Sequence, residues 1–121
     1  MCVNVLLADD AEVIRKAIRK LLSEQEDIKV VGEATTFPEV LQKTTELKSD
    51  VIVIDLHMSG DNFSAPFPNG HKLLAISFAN DDEAKGLAES IGAVELLDKM
   101  ELSETLIPAI LKLAPSENRL N

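Results

Sequence analysis

Three aspartates at two points in the sequence have the residue types and spacing for metal and phosphoryl chemistry. Asp9 and Asp10 follow the apolar run of residues 3–8, and Asp55 ends the run 51–54. Carboxylates brought close together repel one another unless a cation lies between them. Oxygen ligands favour a hard cation, Mg²⁺ above all. A carboxylate that faces Mg²⁺ can attack a phosphoryl group and form an aspartyl phosphate.

Two more polar residues end or follow apolar runs later in the chain. Ser77 ends the run 72–77, and Lys99 comes shortly after the run 94–97. A hydroxyl can donate a hydrogen bond to a phosphoryl oxygen, and a lysine can pair with another as a mobile point charge. Taken singly, each of these residues is an ordinary strand-end, turn or capping residue. Their combination at the ends of four apolar runs is what predicts a site.

The elements that position these residues follow from the hydrophobic pattern. The unbroken β-branched run before Asp55 is typical of a strand buried on both faces of a parallel sheet. Strands are predicted at 3–8, 28–34, 51–55, 72–77 and 94–97, and they alternate with amphipathic helices. This alternation indicates βαβ units in a three-layer α/β sandwich. In a five-stranded parallel sheet of order 2-1-3-4-5, the first and third strands are neighbours at the switch point where ligands bind.

The helices are predicted from caps and apolar stripes. Asp10 is a candidate N-cap for the first helix, and Thr36 opens a capping box with Glu39 for the second. Asp81 or Asp82 caps the helix predicted between the fourth and fifth strands. The first two helices should bury the following residues: Val13, Ile14, Ala17, Ile18, Leu21, Leu22, Phe37, Val40, Leu41, Thr44 and Leu47. A last helix beginning at 103–105 should bury Leu106, Ile107, Ile110 and Leu111.

Composition narrows the class of protein. The 121 residues predict one domain, at 1–115, followed by a polar tail at 116–121. Twelve basic and 21 acidic residues give a net charge of −9, which argues against DNA or an anionic membrane as a direct partner. No apolar run is long enough to span a bilayer, no signal peptide is evident, and the single cysteine excludes an internal disulfide. We therefore expect a cytoplasmic protein.

The segments VLLADD, VIVIDLHM, LLAIS and GAVELLDKM resemble, in this order, the receiver domains of bacterial response regulators in two-component signalling. The resemblance covers nearly the whole chain and implies the CheY-like, flavodoxin-like fold. It implies that Asp55 is the phosphoacceptor. It also implies that Asp10 and the backbone carbonyl of His57 bind Mg²⁺ directly, while Asp9 acts through metal-bound water. The side chain of His57 itself has the pattern of an exposed loop residue.

By the same resemblance, Ser77 is the switch hydroxyl and Lys99 is the family's lysine. The sequence also departs from the family. The interval from Asp55 to Ser77 is short and contains two prolines and two glycines, so the third crossover helix should be reduced or missing, with Phe63 and Phe67 shielding the sheet there. Ser59 and Met100 stand where the family usually has proline.

The leading hypothesis is a stand-alone receiver that accepts a phosphoryl group on Asp55 from a histidine kinase or phosphotransfer protein. It would signal to an output protein by contact, as a monomer or homodimer, and catalyse at most its own phosphorylation and dephosphorylation. The alternative is a degenerate receiver that works as a phosphorylation-independent interaction or dimerisation module. The acidic site favours the first hypothesis, and the shortened crossover favours the second. An FMN carrier and a haloacid-dehalogenase-like phosphatase fit less well, because the adjacent Asp9-Asp10 pair would repel an FMN phosphate and is not an Asp-x-Asp motif.

Two apolar residues bear on signal output. Leu96 stands where the family commonly has tyrosine or phenylalanine, and it has no polar tip to hold it at the surface in one state. Its position should therefore bias two conformations only weakly. Phe78 stands where a small residue is usual, and its ring is predicted to lie over the site. Together these residues predict a small conformational change on phosphorylation and a long-lived phosphoryl group.

Overall fold

Strands and helices alternate along the chain in the computed structural model, which describes residues 2–58, 72–79 and 81–114. The strands are β1 (Val3–Ala8), β2 (Ile28–Ala34), β3 (Val51–Asp55), β4 (Lys72–Ser77) and β5 (Ala93–Asp98). The helices are α1 (Glu12–Ser23), α2 (Phe37–Glu46), α3 (Asp82–Ser90) and α4 (Leu102–Lys112), with a 3₁₀ turn at Lys99–Glu101. The predicted loss of a crossover helix and the proposed role of Phe63 and Phe67 lie outside the described residues.

All five strands are parallel and follow the order β2-β1-β3-β4-β5, which confirms the predicted sheet. Ala8 is in register with Ile54, and Ser77 is in register with Asp98. Because the strands are parallel, their carboxyl ends meet at one edge of the sheet. The residues that follow β1, β3, β4 and β5 are thereby brought together there.

Two hydrophobic clusters cover the two faces of the sheet. Alternate residues of β1 point to opposite faces, so Leu7 packs with α1 and α4 while Leu6 packs with α2 and α3. The central strand β3 contributes to both clusters, and all five of its residues are buried. These clusters form the three-layer sandwich and hold β3 rigidly between its neighbours.

The start of α1 corrects one prediction. The N-cap position is occupied by Ala11, one residue after the predicted Asp10, and Ala11 makes no side-chain capping hydrogen bond. Instead, Asp9 Oδ1 accepts a hydrogen bond from the Ala11 N–H at 2.8 Å. This is the turn in which an aspartate bonds the backbone two residues on, and it fixes the Asp9 carboxylate at the strand end.

The caps of α2 and α3 agree with the sequence. Thr36 Oγ1 accepts from Glu39 N at 3.2 Å, and Asp81 Oδ1 accepts from Ala84 N at 3.0 Å. The reciprocal bond of the capping box is shifted by one residue, since Glu39 Oε1 accepts from Thr35 N at 2.7 Å. This backbone hydrogen bond lowers the pKa of Glu39.

Several predicted core residues lie at the surface. Val13, Leu41 and Leu111 are 78%, 41% and 38% exposed, and Ala17 is also exposed. The predicted apolar stripes are wider than the arc of each helix that meets the sheet, so residues at the margin of a stripe remain outside. The last helix begins at Leu102, one residue before its predicted start. Within the described ranges, no helix has the length and apolar character needed to cross a bilayer.

Candidate functional site

The three aspartates predicted from the sequence come together at the carboxyl ends of β1 and β3. Asp9, Asp10 and Asp55 each offer a carboxylate oxygen, and these oxygens lie within 4.8 Å of one another. Asp9 and Asp55 are 0% and 4% exposed, whereas Asp10 is exposed. Neighbouring strands that both end at this edge produce this convergence, as the switch-point argument predicts.

Lys99 lies inside the same cluster. Its Nζ is 2.8 Å from Asp9 Oδ2 and 3.3 Å from Asp55 Oδ1, and its side chain is 6% exposed. Within the described part of the chain, the buried Asp9 Oδ2 is ion-paired with Lys99 and accepts no hydrogen bond. Three carboxylates thus lie around one ammonium at this edge of the sheet. The clustered carboxylate oxygens fit a divalent cation with oxygen ligands, as Mg²⁺ requires.

The environment of Asp55 makes its carboxylate unusually basic. Burial raises the pKa of Asp55, and the negative charge of Asp9 raises it further. The His57 N–H donates to Asp55 Oδ1 at 3.1 Å, and this bond and the Lys99 ammonium offset part of the rise. His57 thus reaches the site through its backbone, while its side chain is exposed as predicted. A basic carboxylate is a better nucleophile, and a nearby cation keeps it ionised.

The end of β4 adds Ser77 and Phe78 to this edge. Ser77 is 1% exposed, and its Oγ accepts a hydrogen bond from Ala79 N at 3.0 Å. A hydroxyl has one donor besides its acceptor positions, so Ser77 can donate to a ligand while keeping this turn. Phe78 is 58% exposed, and its ring centroid lies 5.1 Å from Lys99 Nζ.

One contact behind the site was missed by the sequence reasoning. Arg15 lies outside the apolar stripe predicted for the first helix, yet its Nη1 donates to the Asp9 carbonyl at 2.8 Å. Its Nε also pairs with Glu33 Oε1 at 3.1 Å. The helical pattern carries no indication of either bond, because both partners lie on other segments of the fold.

Leu96 is half-buried on β5 and packs against the cluster on the α2 and α3 face. Met100, directly after Lys99, is 76% exposed. The apolar Leu96 side chain thus lies partly inside the fold.

The chain matches the family model for the response regulator receiver domain over residues 5–111. It belongs to the response-regulator receiver family. Aspartate phosphorylation in two-component phosphorelays is a general property of this family, and the match covers Asp9, Asp10, Asp55, Ser77 and Lys99.

Curated relatives of this receiver are longer proteins. The transcriptional regulatory protein LiaR of Bacillus subtilis is 32% identical over 125 residues, covering 98% of this chain and 59% of LiaR. The response regulator protein VraR of Staphylococcus aureus strain Mu3 is 39% identical over 90 residues, covering 69% of this chain and 43% of VraR. The chain therefore spans roughly half the length of these two relatives.

Solved receiver structures share the fold. The signal receiver domain of NarL from Mycobacterium tuberculosis superposes with a TM-score of 0.79 at 24% identity, over 92% of this chain and 94% of that one. The non-phosphorylated receiver domain of RcsB from Escherichia coli gives a TM-score of 0.81 at 21% identity, over 93% of each chain. At these identities the structural similarity shows that the fold is shared. The chemistry of the site has to be argued from its residues.

Proposed function

We propose that this chain is a phosphoacceptor receiver of a two-component phosphorelay, acting in the cytoplasm. A histidine kinase or phosphotransfer protein would donate the phosphoryl group to Asp55. The observation that carries the proposal is the buried Asp55 carboxylate in one cluster with Asp9 and Asp10, with the Lys99 ammonium 3.3 Å from it. This arrangement combines a nucleophile, a cation site and a counter-charge for a phosphoryl oxygen.

Mg²⁺ would be held by the carboxylates of Asp9, Asp10 and Asp55 and by the backbone carbonyl of His57, with Asp9 acting through water. When bound, the ion would neutralise charge between the attacking carboxylate and the phosphoryl oxygens. The convergence of the three carboxylates supports this assignment, because their oxygens lie within 4.8 Å of one another and would repel unless a cation lay between them.

In the transfer step, an Asp55 carboxylate oxygen attacks the phosphorus of a phosphohistidine. The phosphorus–nitrogen bond breaks, and the imidazole leaves with the bonding electron pair. Lys99 then pairs with one phosphoryl oxygen, for which it is already placed beside Asp55. The Ser77 hydroxyl donates a hydrogen bond to another phosphoryl oxygen and still accepts one from Ala79 N.

Output would pass to a protein partner, with the receiver domain at 1–115 acting as a monomer or homodimer. Receiver-containing chains of RcsB have been solved in complex with DNA. We assign no nucleic-acid contact to the receiver of this protein, since a net charge of −9 opposes approach to phosphates. Any enzymatic activity would be limited to phosphorylation and dephosphorylation of its own Asp55.

Acetyl phosphate provides the direct test. Incubation with acetyl phosphate and Mg²⁺ should add one phosphoryl group that intact-mass and peptide mass spectrometry place on Asp55. Omission of Mg²⁺, or the substitution Asp55→Asn, should abolish the addition. A phosphorylated Asp55→Asn protein, or a label mapping to another residue, would contradict the assignment.

A second candidate is the phosphorylation-independent interaction module. The half-buried Leu96 favours it, because an apolar side chain prefers burial whether or not Asp55 is phosphorylated and so distinguishes the two states only weakly. The same experiment separates the two functions, since the module takes up no phosphate.

A further inference from the structure

The aromatic ring beside Lys99 has no role in the phosphorylation scheme above. Lys99 Nζ faces Asp9 Oδ2, Asp55 Oδ1 and the Phe78 ring, whose centroid is 5.1 Å away. The Lys99 side chain is 6% exposed, whereas Phe78 is 58% exposed. Phe78 is therefore an exposed residue whose ring lies beside a buried ammonium.

We propose that Phe78 is a positioning and shielding residue that sets the lifetime of the phosphoryl group on Asp55. Its ring would hold the Lys99 ammonium inside the cluster by a cation–π contact and cover that side of the site against water. This inference rests on the proposed phosphoacceptor function and extends it to a residue outside the acidic cluster.

The backbone around Phe78 supports a fixed ring position. Ser77 Oγ accepts from Ala79 N at 3.0 Å, which closes a turn with Phe78 at its centre. Because a hydroxyl can accept and donate at once, recruitment of Ser77 by a phosphoryl oxygen does not require this turn to open. The ring can then keep its place in the phosphorylated protein.

The reaction that the ring would slow is hydrolysis of the aspartyl phosphate. Water attacks the phosphorus, and the bond between the phosphorus and the Asp55 oxygen breaks. The products are the Asp55 carboxylate, hydrogen phosphate and one proton. A side chain that narrows the approach to the phosphorus lowers the rate of this step and leaves the thermodynamics of the acyl phosphate unchanged.

The test compares loss of phosphate in wild-type protein and in Phe78→Ala, Phe78→Tyr and Met100→Ala after removal of acetyl phosphate. Phe78→Ala should shorten the lifetime at least about threefold, because it opens the approach of water to the phosphorus. Phe78→Tyr retains a ring and should keep the wild-type lifetime. Met100→Ala is the matched control, since it removes another exposed apolar side chain at this edge.

An unchanged lifetime in Phe78→Ala, or a lifetime in Phe78→Tyr as short as in Phe78→Ala, would overturn the proposal. A second measurement is independent of phosphorylation. The rate at which an amine-reactive ester labels Lys99 should rise at least about threefold in Phe78→Ala, measured by peptide mass spectrometry. If the wild-type chain takes up no phosphate, the proposed function fails, and equal Lys99 labelling rates would then overturn the role of Phe78 separately.

Discussion

Two strands of the same sheet end in aspartate at the same edge, and the two aspartates have different environments and roles. Asp55 ends β3, is 4% exposed, and has a pKa raised by burial and by Asp9. Asp98 ends β5, is half-buried, and accepts a hydrogen bond from Met100 N at 2.9 Å, which caps the 3₁₀ turn. One aspartate is placed for chemistry, and the other stabilises a turn.

The difference comes from the place of each strand in the sheet. β3 lies between β1 and β4 with all five residues buried, whereas β5 pairs with β4 at the edge of the sheet and most of its residues are exposed or half-buried. A carboxylate at the end of a buried strand loses hydration, and the neighbouring strand brings a second carboxylate beside it. At the edge strand, water and a backbone N–H satisfy the same group.

The largest expected effect is a loss of stability when the charge balance of the buried site is disturbed. Replacing Lys99 by Met removes the ammonium between Asp9 and Asp55 and leaves their charges uncompensated. We expect the free energy of unfolding to fall by about 3 kcal/mol at neutral pH without Mg²⁺. Urea unfolding measures this, with the exposed Lys112→Met as control. Added Mg²⁺ should recover part of the loss, and equal stabilities of the two variants would show that Lys99 does not compensate the site.

A matched pair of valines tests the contrast between the two strands. Val53 in β3 is 0% exposed, and Val94 in β5 is 56% exposed. Val53→Ala should lower the free energy of unfolding by about 2 kcal/mol, since it leaves a cavity between two packed layers. Val94→Ala should change it by less than about 0.5 kcal/mol. Similar losses in both variants, measured by chemical denaturation, would mean that β5 is covered in solution.

The two aspartates should respond differently to neutralisation. Because the folded-state pKa of Asp55 is raised, its ionised form opposes folding above that pKa. Asp55→Asn should therefore stabilise the Mg²⁺-free protein at neutral pH by on the order of 1 kcal/mol. Asp98→Asn keeps a capping oxygen and should change stability by less than about 0.5 kcal/mol.

The pH dependence gives the sign of the Asp55 effect. As the pH falls through the raised folded pKa toward the ordinary aspartate value, wild-type Asp55 takes up its proton preferentially in the folded state. The stability advantage of Asp55→Asn should shrink over this interval and be lost below the unfolded pKa. Thermal unfolding of both proteins across acidic pH measures this difference in stability. If the stability advantage of Asp55→Asn grew as the pH fell, the folded-state pKa of Asp55 would be lowered and not raised.

The smallest effect is expected in signal output. Leu96 is already half-buried, so phosphorylation should change amide hydrogen exchange only slightly across residues 81–97. Comparison with and without a phosphoryl mimic at Asp55 measures the change, and Leu96→Tyr should enlarge it by adding a polar tip. Large exchange changes in the wild-type protein would contradict the weak bias assigned to Leu96.

The sequence by itself determined the fold class and the identity of the clustered groups. Apolar runs and helical stripes are local patterns, so they predicted five parallel strands alternating with helices without any contact information. The order of the strands came from the doubly wound fold type and not from these patterns. The polar residues at the strand ends followed from the same reasoning, because parallel strands deliver their carboxyl ends to one edge. Asp9, Asp10, Asp55 and Lys99 were predicted to share a site for this reason, and the structure brings them together.

Only the tertiary structure decided how those groups are held. The cap of α1, the bond from Arg15 to the Asp9 carbonyl and the exposure of Leu41 each depend on which segments pack against one another. A periodic pattern shows which face of a helix is apolar, but it does not show how much of that face meets the sheet. The same limit applies to Asp55 and Asp98, which look alike as strand-ending aspartates. Their different environments arise from burial and neighbours, which exist only once the chain has folded.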